Sequence, residues 1–442
     1  MMPKAVFGLL VALSLPIGAA AVAQSPARPG VDAPELAKLG PAGVGFRSVT
    51  FVHRDQPDLE HADPKTGAVR LHDRRLQVDI WYPAQVRKGA PKALYRGTLW
   101  GEPPRPPVAF TQAGLATPNA PRDGQRHPLV ILSHGYSNVP AVMTWLTENL
   151  ASKGYVVAAI HHADPNPYVV ALAIRAAPNY NRPVDISFVA AQLRATLGNE
   201  IDPDKVALIG YSQGGYGVLT AGGARLDPSH PYAGLVAGGW LKSIARGGAL
   251  TDTAVVPGVK AIVAIAPAGG GPQTVWGREG LAALTAPLLL IAGDSDPVVG
   301  YEQAARAFFA QTVNSSRYLL TYKQAGHAIA LNPAPAEMRG SVWDMDWFED
   351  PIWRQDRVNA INLHFITAFL ALHLRGEADM VGYLDVPVED AASGNWDTPA
   401  DTPWGAVSPG GPGVTLWKGF QRRHANGLRL QHLAAGVSPT EK

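Results

Sequence analysis

Ser212 lies between Gly210 and Gly214 in the run V-A-L-I-G-Y-S-Q-G-G-Y-G, Val206 to Gly217. Four apolar residues lead into the first glycine and small, helix-compatible residues follow the serine, so the run reads as strand, sharp turn, helix. The glycines permit a strained turn that lifts the hydroxyl clear of a sheet, and the helix aims its first amides at the same point. A hydroxyl held in this way is a candidate nucleophile. It needs a base to take its proton and an acid to orient that base. With 46 glycines in 442 residues the spacing alone is weak, so the case rests on partners elsewhere.

Two later turns supply them. An apolar strand over 287–292 runs into Gly293-Asp294-Ser295-Asp296-Pro297, and a strand over 317–323 runs into Gln324-Ala325-Gly326-His327. His327 is the candidate base and Asp296 the candidate acid. Asp294 is the alternative acid, although its position suits a turn or helix cap. A tetrahedral oxyanion also needs preorganised donors. The backbone N–H of Gln213, directly after the serine, is the first; the second lies just past His134-Gly135, with Tyr136 ahead of Ser137. The Gln213 side chain is not required, and His134 reads as a structural turn residue.

The elements that must position these groups follow from periodicity. Residues 49–53 and 75–82 read as two antiparallel strands, and 87–125, rich in Pro, Gly and Ala, as a long surface excursion. From His127 the chain alternates continuous apolar runs (129–133, 155–160, 205–209, 259–266, 287–292) with helical patterns (142–153, a helix opening at Arg182-Pro183 and running to Leu197, and 301–311). Continuous apolar strands separated by helices predict a parallel sheet covered on both faces, with chemistry at the carboxyl ends of its strands. A last helix is expected over 356–374.

At 46% hydrophobic and 17% charged residues the composition is that of an ordinary globular chain, which disfavours disorder and a membrane bundle. A formal charge of +2 without Lys/Arg runs disfavours nucleic acid, and the lack of cysteine excludes disulfides and thiolate chemistry. Met1 to Lys4 is basic, Ala5 to Ala20 apolar, and Ala21-Val22-Ala23 offers small residues for cleavage: the layout of a signal peptide. The expected organisation is a signal peptide (1–23), a loosely ordered leader (24–45), a catalytic domain (46–376) and a C-terminal extension (377–442) without evident chemistry. The mature protein is expected to be secreted or periplasmic in a bacterium, with no stable membrane span once the signal is removed. Its oligomeric state is open.

The runs L-Q-V-D-I-W-Y-P-A, P-L-V-I-L-S-H-G, L-A-S-K-G-Y-V-V-A-A-I-H-H-A-D, R-P-V-D-I-S-F-V and I-G-Y-S-Q-G-G together resemble the predicted dienelactone hydrolase and platelet-activating-factor acetylhydrolase-like branch of the α/β-hydrolases, over about Gly45 to Gly376. The chain order Ser212, Asp296, His327 is also the order of that fold's triad. The resemblance implies an α/β-hydrolase fold, with a mostly parallel central sheet, flanking helices and loop insertions. It implies serine ester hydrolysis without a cofactor, on a small-molecule or lipid-like ester. Two departures matter. The elbow reads G-Y-S where the acetylhydrolases have G-H-S, and the strand ending at Ala266 meets Pro267-Ala268-Gly269, with no carboxylate where the animal plasma-type enzymes place their acid. Dienelactone hydrolases proper use a cysteine that this chain lacks.

Other residues have competing readings. His161, His162 and Asp164 suggest a metal site, but adjacent histidines at a strand end point in opposite directions, and no metal is expected. Arg182 and Asp185 read as an ion pair or cap that organises the preceding loop. Tyr211 in the elbow, Trp240 in the insertion 225–258, Trp276 after the following strand and Trp343 in the insertion 333–353 are candidate pocket residues, because aromatic residues concentrate in loops near the strand ends. A serine peptidase or amidase, and a non-catalytic binding protein on a hydrolase scaffold, are the alternative functions.

Overall fold

The computed structural model describes residues 25–63, 65–100, 103–395 and 413–438; residues 1–23, where a signal peptide is expected, lie outside them. Strands β1 (Gly43–Pro57) and β2 (Leu71–Ala84) pair antiparallel, as their alternation suggests. The excursion that follows holds a hairpin of β3 (Leu94–Leu99) and β4 (Val108–Ala113), then the two-residue β5 (Thr117–Pro118). This hairpin was not expected. The pair stands apart from the main sheet and buries little beyond Tyr95, Leu99 and Phe110, too few positions to impose a readable period.

The remaining strands are β6 (His127–Ser133), β7 (Val156–Ile160), β8 (Ile201–Tyr211), β9 (Val259–Ile265), β10 (Leu288–Gly293), β11 (Arg317–Tyr322) and β12 (Leu428–Leu433). They join one ten-stranded sheet in the order β12-β11-β10-β9-β8-β6-β7-β2-β1-β5. The run from β7 to β11 is parallel throughout. After β6 the chain moves outward to β7, then crosses back to β8 on the other side of β6. The β6/β8 boundary is therefore a switch point, where a crevice opens beyond the strand ends.

The helices are α1 (Thr144–Ser152), α2 (Leu172–Ala176), α3 (Pro178–Thr196), α4 (Gln213–Ala221), α5 (Trp240–Ser243), α6 (Gly277–Ala282), α7 (Ala307–Gln311), α8 (Val342–Asp346) and α9 (Gln355–Leu370). Along β6, Val130 and Leu132 face a core shared with α1 and α9, while Leu129 and Ile131 face the core of α3, α4, α6 and α7. Each of these fully buried aliphatic side chains contributes about 1.5–3 kcal/mol by leaving water. Burial on both faces explains why the parallel strands read as unbroken apolar runs.

Helix α3 corrects one expectation. It starts at Pro178, and Pro183 lies inside it. Proline at 183 has no N–H for the carbonyl of Asn179 one turn back. The Tyr216 hydroxyl on α4 donates to that carbonyl at 2.9 Å, so a neighbouring helix makes good the missing bond.

The described parts of the leader and of the C-terminal extension are packed. Within the leader, Ala27 and Ala37 are fully buried, Ser25 Oγ donates to Glu148 at 2.8 Å, and the Glu35 N–H donates to Gly419 O at 2.8 Å. The extension adds β12 antiparallel to β11 and buries Trp417 and Phe420 against Phe365 of α9. The architecture is an α/β-hydrolase fold, with a mostly parallel central sheet between two helical layers.

Candidate active site

Ser212 sits between the end of β8 and the start of α4 with φ 54° and ψ −117°, a region that side chains other than glycine rarely adopt. The turn is as tight as the glycine spacing implies. A Cβ on Gly210 would lie 2.1 Å from Gly214 O, and one on Gly214 would lie 1.9 Å from Ser133 O. The Ser212 N–H donates to Ile265 O of β9 at 2.9 Å, which ties the turn to the sheet.

The hydroxyl of Ser212 lies 3.0 Å from His327 Nε2, and His327 Nδ1 lies 2.7 Å from Asp296 Oδ2. Asp296 is nearly enclosed, and its other oxygen accepts the Val298 and Val299 N–H groups at 2.8 and 3.1 Å. Burial pushes its carboxyl pKa up, but the bond to His327, the charge of that ring and the two amides outweigh it, and the net shift is downward. Asp294 points elsewhere. It is exposed and accepts the Gln324 N–H at 2.6 Å, closing the two strand-end turns on each other. The His327 loop is held by Asp350, which accepts the Gly326 N–H at 2.6 Å, and by the Tyr211 hydroxyl, which donates to His327 O at 3.2 Å.

Gln213 and Tyr136 line the same pocket as Ser212, and neither backbone N–H has an acceptor among the described residues. The Ser137 N–H is committed to Asp164 Oδ2 at 2.9 Å. The Gln213 side chain turns away and donates to Asn179 Oδ1 at 2.8 Å.

Behind the Tyr136 loop lies a buried polar network that is only partly legible in the sequence. Arg182 and Asp185 do not pair with each other. Arg182 is fully buried, grips both oxygens of Asp164, and donates to Ser133 Oγ and to the carbonyls of His134 and Gly135. Asp185 takes a two-pronged bond from Arg74 and one from His162 Nδ1 at 2.9 Å. Ser133 Oγ accepts from Arg182 and donates to His162 Nε2 at 2.9 Å, which suits a neutral imidazole. Burial, with Arg182 next, holds the pKa values of His134 and His162 well below the ordinary range. Between those lowered values and the ordinary 6.5 the unfolded chain binds more protons than the folded one. Stability is therefore expected to fall as pH drops below about 6.5, by about 1.4 kcal/mol per pH unit for each such histidine. Denaturant titrations at pH 7, 6 and 5 measure that slope, and a flat profile contradicts it. His161 pairs with Asp79 at 2.8 Å, and the described residues hold no cluster of three or more His, Cys, Asp or Glu suited to a metal.

The pocket over Ser212 has a volume of about 400 Å3 and is lined by Tyr211, Tyr136, Leu172, Tyr232 and Trp347 among others. Of the pocket residues expected from sequence, Tyr211 is there. Trp276 is not: it is fully buried, stacks on Tyr216 and donates to Thr220 Oγ1 at 3.0 Å, so its indole belongs to the core. Trp240 packs edge-on against Tyr180 away from the pocket, and Trp343 lines an adjoining groove instead. Trp347, from the same insertion as Trp343, reaches across the cleft and donates to Asn138 Oδ1 at 3.0 Å. Its only sequence signal was membership of an aromatic-rich insertion. Tyr232 comes from the other insertion, the one that also holds Trp240.

The profile of the family "platelet-activating factor acetylhydrolase, isoform II" matches residues 74–182. Cutinase est1 of Thermobifida alba is 31% identical over 107 residues, which is 24% of this chain and 34% of that one. Cutinase 1 of Thermobifida cellulosilytica is 30% identical over 109 residues, 24% of this chain and 38% of that one. The chain thus spans about a third of the length of these curated relatives. A solved structure of a ferulic acid esterase from Streptomyces cinnamoneus superposes with a TM-score of 0.47 at 18% identity, covering 76% of this chain and 91% of that one. The sheet order, the strand–turn–helix around Ser212, and the sequence matches together make the chain a member of the α/β-hydrolase superfamily.

Proposed function

We propose that the protein is an exported serine hydrolase that cleaves carboxylic esters through an acyl-enzyme. The observation that carries this reading is the continuous relay from Ser212 Oγ through His327 to Asp296, at 3.0 and 2.7 Å, opening on a pocket. The match to an acetylhydrolase family and to cutinases supports ester substrates. Export rests on the signal-peptide pattern of residues 1–23.

In the proposed reaction His327 takes the Ser212 proton as the oxygen attacks the ester carbonyl. The oxyanion settles between the amides of Gln213 and Tyr136. His327 then gives the proton to the departing alcohol, and a water activated by the same imidazole releases the acid. Asp296 holds the imidazole tautomer and stabilises its charged form. No step calls for a metal or cofactor.

Wild type is expected to release p-nitrophenol from short-chain esters and to carry a fluorophosphonate on Ser212 by mass spectrometry. Ser212→Ala should lose the label, and its kcat should fall by about 10^4 or more. Activity surviving in that variant would sink the mechanism.

A further inference from the structure

A second groove of about 580 Å3 adjoins the Ser212 pocket. The two share His327, Ala328, Val298, Asp346 and Trp347, but Ser212, Gln213 and Tyr136 line only the first. The second is largely apolar, with Pro297, Trp343 and Pro351 in its wall. Trp343 and Val298 stay 49% and 66% exposed there, large apolar surfaces that folding has left uncovered.

Proton transfer orients a substrate across this pair of spaces. The acyl carbon must reach Ser212 Oγ with its oxygen toward Gln213 and Tyr136, so the acyl group occupies the first pocket. The alcohol oxygen must receive the proton from His327 Nε2, which places the alcohol on the histidine side of the scissile bond. The groove lined by His327 but not by Ser212 begins there.

We infer that this groove binds the alcohol portion of the substrate, and that the enzyme prefers esters whose alcohol is sizeable and apolar. The inference rests on the ester-hydrolase reading. When the C–O bond breaks, the alcohol leaves from the groove with the proton of His327 while the acyl group stays on Ser212. Trp343 touches only the alcohol side, and Trp347 stands where the two spaces meet.

The test uses simple alkyl esters in a pH-stat, so that alcohol acidity is nearly constant and kcat/KM reports acylation. One series varies the alcohol, methyl butyrate against hexyl butyrate; the other varies the acid, methyl butyrate against methyl octanoate. For wild type the hexyl ester is expected to be favoured by about tenfold, the scale of discrimination an apolar pocket supplies. Trp343→Ala should bring that ratio near unity, while moving the acid-series ratio by less than about twofold, and Trp343→Phe should restore much of the alcohol preference. Melting curves establish that the variants are folded. A wild type indifferent to the alcohol, or a Trp343→Ala effect confined to the acid series, overturns the inference and leaves the hydrolase reading standing. A wild type that cleaves none of these esters overturns both.

Discussion

Asp296→Asn is expected to lower kcat for ester hydrolysis by about 10^3–10^4 while the protein stays folded. The geometry separates the two consequences. One carboxylate oxygen accepts the Val298 and Val299 amides, and an asparagine carbonyl can keep both bonds. The other faces His327 Nδ1 at 2.7 Å, where an amide NH2 presents a donor to a nitrogen that must itself donate. The imidazole then carries its proton on Nε2, toward Ser212, and cannot act as base. The pH sign is definite as well. Because the folded carboxyl is held below its ordinary value, its stabilising contribution is complete above the unfolded pKa of about 3.9 and is lost only as pH falls through the lower folded value. Stopped assays on wild type, Asp296→Asn and Asp294→Asn at neutral pH measure the effect. Equal losses at the two positions contradict this assignment of roles.

Arg182→Met should cost about 3–5 kcal/mol of folding stability, the scale seen when one partner of a buried ion pair is removed. Arg182 and Asp164 have side chains 0% and 2% exposed, so the remaining carboxylate loses its hydrogen-bonded counter-charge in the interior. The carbonyls of His134 and Gly135 lose a donor at the same time. These residues lead into Tyr136, so the loss should extend to catalysis: kcat falls further than KM rises, because a slackened loop stabilises the oxyanion less than it binds the ester. Urea unfolding and steady-state kinetics on Arg182→Met test both parts. A variant with wild-type stability contradicts the buried-pair argument.

Much of this site was legible because chemistry at sheet ends leaves local marks. Ser212, Asp296 and His327 each follow a strand whose apolar run is readable, and the two-residue offset between Asp294 and Asp296 decides which carboxylate turns inward. Features that depend on distant partners were not legible. Nothing near Pro183 announces that a tyrosine from another helix will satisfy the carbonyl it orphans, so the expected helix starts four residues late. An aromatic residue in a loop does not reveal which way it faces: Trp276 is in the core, whereas Trp347 and Tyr232 line the cleft. The leader looked loose in sequence because its packing depends on the distant extension and on α9.

The repair at Pro183 bears on the timing of order. Asn179 accepts the Tyr216 hydroxyl on its carbonyl and the Gln213 side chain on its own amide oxygen, so α4 is fastened to α3 at two points just beyond the nucleophile. Sliding or rotation of α4 would break both bonds at once. The conformational entropy of aiming Ser212 is therefore lost when the chain folds, and an arriving substrate has only its own freedom left to surrender.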